Sequence, residues 1–173
     1  MLIDSYDSGV IDVLDIYMED CEDITLVEFG RGNGALAKKY LDQGKKVTIF
    51  EDFKQQIYQA DPDNYSDFKD ETVNHNVLST EGWDELKHRT DLIFCSLPFI
   101  VPHAGDMEDE TYQGLINRAF YELGGLLRRP GRIITVDYNT PQIKEAVAEL
   151  NMETTPLIEQ TKGVHYMASI LKQ

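Results

Sequence analysis

The sequence predicts a three-layer α/β fold: a mostly parallel sheet of seven strands, helices on both faces, and an antiparallel β-hairpin at the carboxyl end. Three observations carry this expectation. Apolar runs of strand length alternate with helix-spaced patterns along most of the chain. A glycine-rich turn, Gly30-Arg31-Gly32-Asn33-Gly34, joins the first strand-like run to a helix. Finally, the apolar segments Pro156 to Gln160 and Val164 to Leu171 are joined only by Thr161-Lys162-Gly163, too short for a crossover, so they must run antiparallel.

The elements follow in order. Asp7-Ser8-Gly9 caps a first helix with Val10, Val13, Leu14 and Tyr17 on one face, and the acidic run Glu19-Asp20-Cys21-Glu22-Asp23 links it to a first strand, Ile24 to Phe29. A helix from Ala35 to Gln43 places Leu36 with Tyr40 and Ala37 with Leu41 at four-residue spacing. The second strand is Val47 to Phe50, with Glu51 at its carboxyl end. Residues 53–72 are weakly patterned around the turn signal Asp61-Pro62-Asp63-Asn64, which leaves room for a short helix. Val73 to Leu78 reads as strand three, Ser79-Thr80-Glu81 opens a short helix carrying Trp83 and Leu86, and Asp91 to Ser96 reads as strand four. Tyr112, Leu115, Ile116, Ala119, Phe120 and Leu123 hold helical spacing for three turns, with Gly124-Gly125 near the end. Pro130-Gly131 turns into strand five, Arg132 to Asp137, and Thr140-Pro141 caps a helix with Ile143, Ala146, Val147 and Leu150 on one face.

Composition bounds the function. At 173 residues, with 42% hydrophobic and 27% charged residues, the chain suits one domain over residues 1–173, of which 1–23 form a flanking helix and linker. The amino terminus, Met1-Leu2-Ile3-Asp4, lacks the basic region of a signal peptide, and the longest apolar run, Leu92 to Pro102, is far below the roughly 20 residues of a spanning helix. A cytoplasmic location is the resulting expectation. Sixteen basic residues against 31 acidic ones, a net charge of −15, argue against nucleic acid as the main partner. The basic groups Lys87-His88-Arg89 and Arg128-Arg129-Arg132 read as caps of helix ends and solvated turns. Cys21 and Cys95 are too few for a disulfide framework or a zinc cluster, so no metal is assigned.

The glycine turn carries the chemistry. Glycine permits positive φ and lacks the Cβ that would keep a ligand from the backbone, while the helix N-terminus that follows presents unpaired N–H groups. Glu51, at the end of the next strand, stands where a carboxylate accepts hydrogen bonds from both hydroxyls of a ribose. Together they form a cradle for the adenosine half of a cofactor. Gly30, Gly32 and Ala35 also satisfy the looser dinucleotide fingerprint, so the glycines alone leave NAD open.

Glu28 separates the two. Glu28-x-Gly30-x-Gly32-x-Gly34 resembles the first motif of the class I S-adenosylmethionine (SAM) dependent methyltransferases, whose fold is Rossmann-like. The resemblance implies SAM as cofactor, with the acidic Glu28 addressing its amino acid end and Phe29, Gly30, Arg31, Gly32 and Gly34 lining the approach. It also implies Glu51 and Asp52 at the ribose and Asn76 and Val77 near the adenine. The family often carries an acidic residue where this chain has Asn76, whose amide oxygen can still accept the adenine amino group. A terminal hairpin ends the family's seven-stranded sheet, and parallel dinucleotide-binding sheets do not typically finish so.

The loop after strand four, Cys95-Ser96-Leu97-Pro98-Phe99, borders the ligand crevice of an open α/β sheet. Ser96 Oγ and the Leu97 carbonyl can accept hydrogen bonds from an amine and aim its lone pair, while Phe99 can stack on a substrate or a developing cation. The simpler alternative is that Leu97-Pro98-Phe99 is apolar loop packing. Ser96-Leu97-Pro98-Phe99 resembles the Asn/Asp/Ser-x-Pro-aromatic motif of amine-directed methyltransferases. Its Leu-Pro core is similar to ribosomal RNA adenine dimethyltransferases, which carry Asn in place of Ser96 and add a basic domain, and to phospholipid N-methyltransferases, whose contact with anionic membranes the acidic first helix opposes. His103 follows the loop and is a candidate proton acceptor, as are Asp137, Tyr138 and His165; structural roles are the simpler reading of His165 and Tyr166. The acidic segment 105–110 reads as a pocket rim.

These readings converge on transfer of a methyl group from SAM to a small or soluble acceptor, an amine nitrogen ahead of oxygen or carbon, without nucleic acid or membrane. A catalytically silent SAM-binding module acting as an interaction or regulatory protein is the second reading, and an NAD-linked oxidoreductase the third. The sequence leaves open a homo-oligomer or a protein partner.

Overall fold

The computed structural model describes residues 8–28, 35–51, 72–74, 87–96, 109–137, 140–150, 152–159 and 166–172. Helices are α1 (Ser8–Met18), α2 (Ala35–Asp42), α3 (Asp109–Leu126) and α4 (Thr140–Ala148). Strands are β1 (Asp23–Glu28), β2 (Lys46–Glu51), β3 (Thr72–Asn74), β4 (Thr90–Ser96), β5 (Leu127–Asp137), β6 (Met152–Glu159) and β7 (Tyr166–Lys172). They form one sheet in the order β3-β2-β1-β4-β5-β7-β6. The pairs β1·β2, β1·β4, β2·β3 and β4·β5 are parallel, while β7 runs antiparallel to both β5 and β6. Residues 160–165, which include the predicted turn between the last two strands, lie outside the described residues, as do the expected short helices within 53–72 and after Ser79.

Why the central strands are apolar at nearly every position follows from their burial on both faces. Successive side chains alternate between two cores. Ile24 and Leu26 of β1, Leu92 and Phe94 of β4 and Ile134 of β5 pack with Leu14 and Met18 of α1 and Leu36, Ala37 and Tyr40 of α2. Val27, Ile93, Cys95 and Ile133 instead meet Ile116, Ala119, Phe120 and Leu123 of α3 and Ile143, Ala146 and Val147 of α4. The result is three layers with α1 and α2 on one face and α3 and α4 on the other.

Local chemistry ends the helices where they end. Gly44 takes φ 78°, its N–H bonding the Leu41 carbonyl at 2.8 Å while the Lys45 N–H reaches the Tyr40 carbonyl at 3.1 Å, a Schellman stop for α2. Lys45 Nζ then caps α1, donating to the Met18 and Cys21 carbonyls at 2.7 Å each. Asp15 of α1 accepts hydrogen bonds from Lys39 Nζ at 2.6 Å and from the Tyr40 hydroxyl at 2.9 Å, so α1 is tied to α2.

Several boundaries differ from the sequence expectation. Strand β5 begins at Leu127, and Arg128, Arg129, Pro130 and Gly131 belong to it rather than to a turn. Arg128 is not a helix cap: its Nε pairs with Asp91 at 2.8 Å. Arg132 lies over the Tyr17 ring at 4.3 Å. As expected, Gly124 and Gly125 fall near the end of α3, which runs to Leu126. Asp23 is the buried first residue of β1 rather than part of an exposed linker, accepting from Thr90 Oγ1 at 3.1 Å and pairing with Lys46 at 3.2 Å. Strand β6 starts at Met152 and carries Pro156 internally, which its position at the sheet edge permits.

Neither cysteine is poised for chemistry. Cys95 is buried, and half-buried Cys21 donates its thiol to the Tyr17 carbonyl. Burial first, and the Asp91 carboxylate second, push the Cys21 thiol above its ordinary range against opposing pulls from Lys45 and Arg132. A thiol reagent at neutral pH is therefore expected to modify the native chain slowly, with both cysteines titrating promptly only in denaturant; rapid native reaction of either would contradict this packing.

Candidate functional site

The sheet topology marks one place for a ligand. From β1 the chain passes through α2 to β2 and β3 on one side, and β4 then pairs with the opposite side of β1. The order reverses between β1 and β4, and in open α/β sheets the crevice outside the carboxyl ends of the strands at such a reversal receives ligands.

The register puts the predicted residues in a row along that edge. Asn74 lies beside Glu51, Glu51 beside Glu28, Glu28 beside Ser96, and Ser96 beside Val136. Strands are spaced about 4.8 Å apart, so Glu51 and Ser96 are separated by roughly 10 Å with Glu28 between them. Asp137 extends the row by one residue and lies opposite Tyr166 of β7. The N-terminus of α2 follows β1, that of α3 follows β4 and that of α4 follows β5, so three helix starts meet the same edge. Each contributes N–H groups without intrahelical partners and the positive end of a helix dipole.

Core packing and hydrogen bonds support this edge. Leu36 and Ala37 anchor the first turn of α2 in the core, and the Asp15 contacts hold α1 across it. On the other face Gln113 Nε2 of α3 donates to the Gln142 carbonyl in the first turn of α4 at 2.9 Å, fixing the two helix starts relative to each other.

Glu28, Glu51 and Ser96 are thus brought together as neighbours at the reversal point. Phe29, Gly30, Arg31, Gly32 and Gly34 fall in the connection between β1 and α2, outside the described residues, as do Asp52, Asn76, Val77, Leu97, Pro98, Phe99, His103, Tyr138 and His165. Asp137 and Tyr166 prove to be direct partners at the edge, a pairing that needs the antiparallel register of β7 and is invisible from spacing alone. Thr135, which the sequence reading passed over, holds its hydroxyl fully buried with no hydrogen-bond partner among the described residues, two positions before Asp137. A lone threonine among isoleucines was its only signal. Among the described residues no cluster of three His, Cys, Asp or Glu could hold a metal ion, and no helix is long and apolar enough to cross a membrane.

No family model matches the chain, and no curated protein matches it at a significant level. Solved structures do. The 1,6-didemethyltoxoflavin-N1-methyltransferase of Burkholderia thailandensis, crystallised with 1,6-didemethyltoxoflavin and S-adenosylhomocysteine, superposes with a TM-score of 0.57 at 14% identity, over 98% of this chain and 80% of its own. An O-methyltransferase family protein of the same organism reaches a TM-score of 0.62 at 11% identity, over 95% of this chain and 55% of its own. The 16S rRNA N2 G1207 methyltransferase RsmC of T. thermophilus, in complex with AdoMet and guanosine, gives a TM-score of 0.57 at 18% identity, over 97% of this chain and 40% of its own. The chain therefore spans about half the length, or less, of the latter two. At these identities the likeness is one of fold: the chain has the α/β, Rossmann-like fold of the class I SAM-dependent methyltransferases.

Proposed function

We propose that this chain is a SAM-dependent methyltransferase whose single domain binds the cofactor along the Glu51–Glu28–Ser96 row and delivers the methyl group to a small or soluble acceptor, an amine nitrogen. The observation that carries the reading is the register that sets two glutamates and a serine side by side at the chain reversal, next to the start of α2. The residues fit the cofactor. We assign Glu28 to its amino acid end, the 29–34 connection to close approach of the backbone, Glu51 and Asp52 to the ribose hydroxyls, and Asn76 and Val77 to the adenine.

SAM supplies a methyl group on a sulfonium, an activated electrophile that needs no metal. What remains for the protein is alignment. Ser96 and the Leu97 carbonyl accept hydrogen bonds from the acceptor amine and turn its lone pair toward the methyl carbon. Pro98 stiffens this turn, Phe99 offers an aromatic face to developing positive charge, and His103 takes up the proton that the nitrogen loses. The nitrogen–carbon bond forms as the carbon–sulfur bond breaks, leaving S-adenosylhomocysteine.

The fold neighbours act on different acceptors, so the acceptor is tested directly. In a labelled-methyl screen over small amines, lipids, nucleic acids and proteins, the expected result is transfer to a soluble amine. Ser96→Ala is then expected to slow turnover at saturating SAM by about tenfold to a hundredfold. An unchanged rate would remove Ser96 from the amine-holding role. Tight SAM binding with transfer to no acceptor class would instead favour a catalytically silent module.

A further inference from the structure

A second pocket lies at the opposite end of the sheet. It has a volume of about 400 Å³ and is lined by Lys87, His88, Arg129 and Lys172, by the single acid Glu122, and by Tyr121. Lys87 and His88 precede β4, Arg129 is near the start of β5, and Lys172 ends the antiparallel β7 opposite Gly131, so all four residues sit at the amino edge. Strand β4 spans Thr90–Ser96, which separates this pocket from the Ser96 row by roughly 20 Å.

The lining inverts the charge of the chain. Acidic residues outnumber Lys and Arg by 31 to 16 overall, yet here three Lys and Arg residues and a histidine face one glutamate. Such a local reversal concentrates positive potential in a concave site, where field lines are focused. Lys172 Nζ donates to the Gly124 carbonyl near the end of α3 and to the Leu127 carbonyl at the start of β5, so two of its three N–H donors hold the ammonium at the pocket wall. Burial first, and the positive charge of Arg129 second, hold Lys172 below the ordinary lysine range. Both side chains line the pocket, and an anion beside them would relieve the repulsion of their like charges. The apolar part of the wall is also specific. Tyr121 is 66% exposed, and the sulfur of buried Met152 lies at ordinary contact distance from the Gly124 position.

We propose that this pocket binds a small organic anion: a carboxylate or phosphate held between Arg129 and Lys172, attached to a flat apolar body that lies against Tyr121. The volume falls within the usual 300–1,000 Å³ of small-molecule sites. The site is separate from the methyl-transfer edge, and its occupancy does not depend on that reading.

The test is titration of the full chain with phenyl phosphate, benzoate and inorganic phosphate, followed by the amide resonances of Gly124 and Gly125. Saturable shifts with phenyl phosphate or benzoate are expected, and the stronger of the two identifies the anionic group. Arg129→Glu, a reversal at an exposed position, is expected to weaken binding at least about tenfold. Tyr121→Ala should weaken the organic anions several-fold while retaining the native far-ultraviolet spectrum, and SAM affinity should be the same in both variants. The proposal is overturned if Gly124 and Gly125 do not shift, if folded Arg129→Glu binds as wild type does, or if inorganic phosphate binds as tightly as phenyl phosphate.

Discussion

Replacing Gly32 with leucine is expected to abolish SAM binding while leaving the fold in place. β1 stops at Glu28 and α2 starts at Ala35, and both are held in the core through Leu26, Val27, Leu36 and Ala37. The connection between them must reverse the chain at the carboxyl edge, and on the proposed reading the glycines at 30, 32 and 34 are there because a side chain would intrude on the nucleoside. A leucine there sets an isobutyl group against the ligand, and the expected loss is at least about a hundredfold in affinity, about 2.7 kcal/mol. Calorimetry measures it, with the thermal midpoint as a control for folding. Wild-type affinity in a folded Gly32→Leu variant would move the cofactor away from this turn.

Phe120→Ala is expected to cause the largest loss of stability. Phe120 is fully buried in the cluster where α3 meets β5 and α4, among Leu123, Ile133, Ile143 and Val147. Truncating a buried phenylalanine costs about 3–5 kcal/mol, since the cavity collapses only in part. Native domains have about 5–15 kcal/mol in all, so the variant should sit near the edge of folding. The adjacent position is the control: Tyr121 points outward, and Tyr121→Ala should change the denaturation midpoint by no more than about 0.5 kcal/mol equivalent. A loss below about 1 kcal/mol at Phe120 would contradict the packing of α3.

The parts of the fold that were legible in the sequence are those where local and tertiary demands agree. The runs through Ile24–Val27 and Leu92–Cys95 are apolar on both faces because both faces are buried, and α2 shows its four-residue spacing because only one face is. Gly44 ends α2 through backbone bonds and Lys45 caps α1 through its side-chain Nζ.

What misled was tertiary context overriding local signals. Pro130-Gly131 reads as a turn, yet Leu127 pairs with Thr90, with a register shift before Leu92, and Arg128 is drawn to Asp91, so the strand starts earlier. Asp23 looked like linker charge until Thr90 and Lys46, distant in sequence, supplied its partners. In the site, Glu28, Glu51 and Ser96 were each nameable from a motif or a strand end. That they are lateral neighbours is a property of register, as is the pairing of Asp137 with Tyr166.

The central claim is that the row at the carboxyl edge holds SAM, and calorimetric titration of the intact chain with SAM, S-adenosylhomocysteine and NAD tests it most directly. The account predicts saturable one-to-one binding of the first two and no heat from NAD, with the response lost in Gly32→Leu. Tight binding of NAD with no response to SAM or S-adenosylhomocysteine would contradict it.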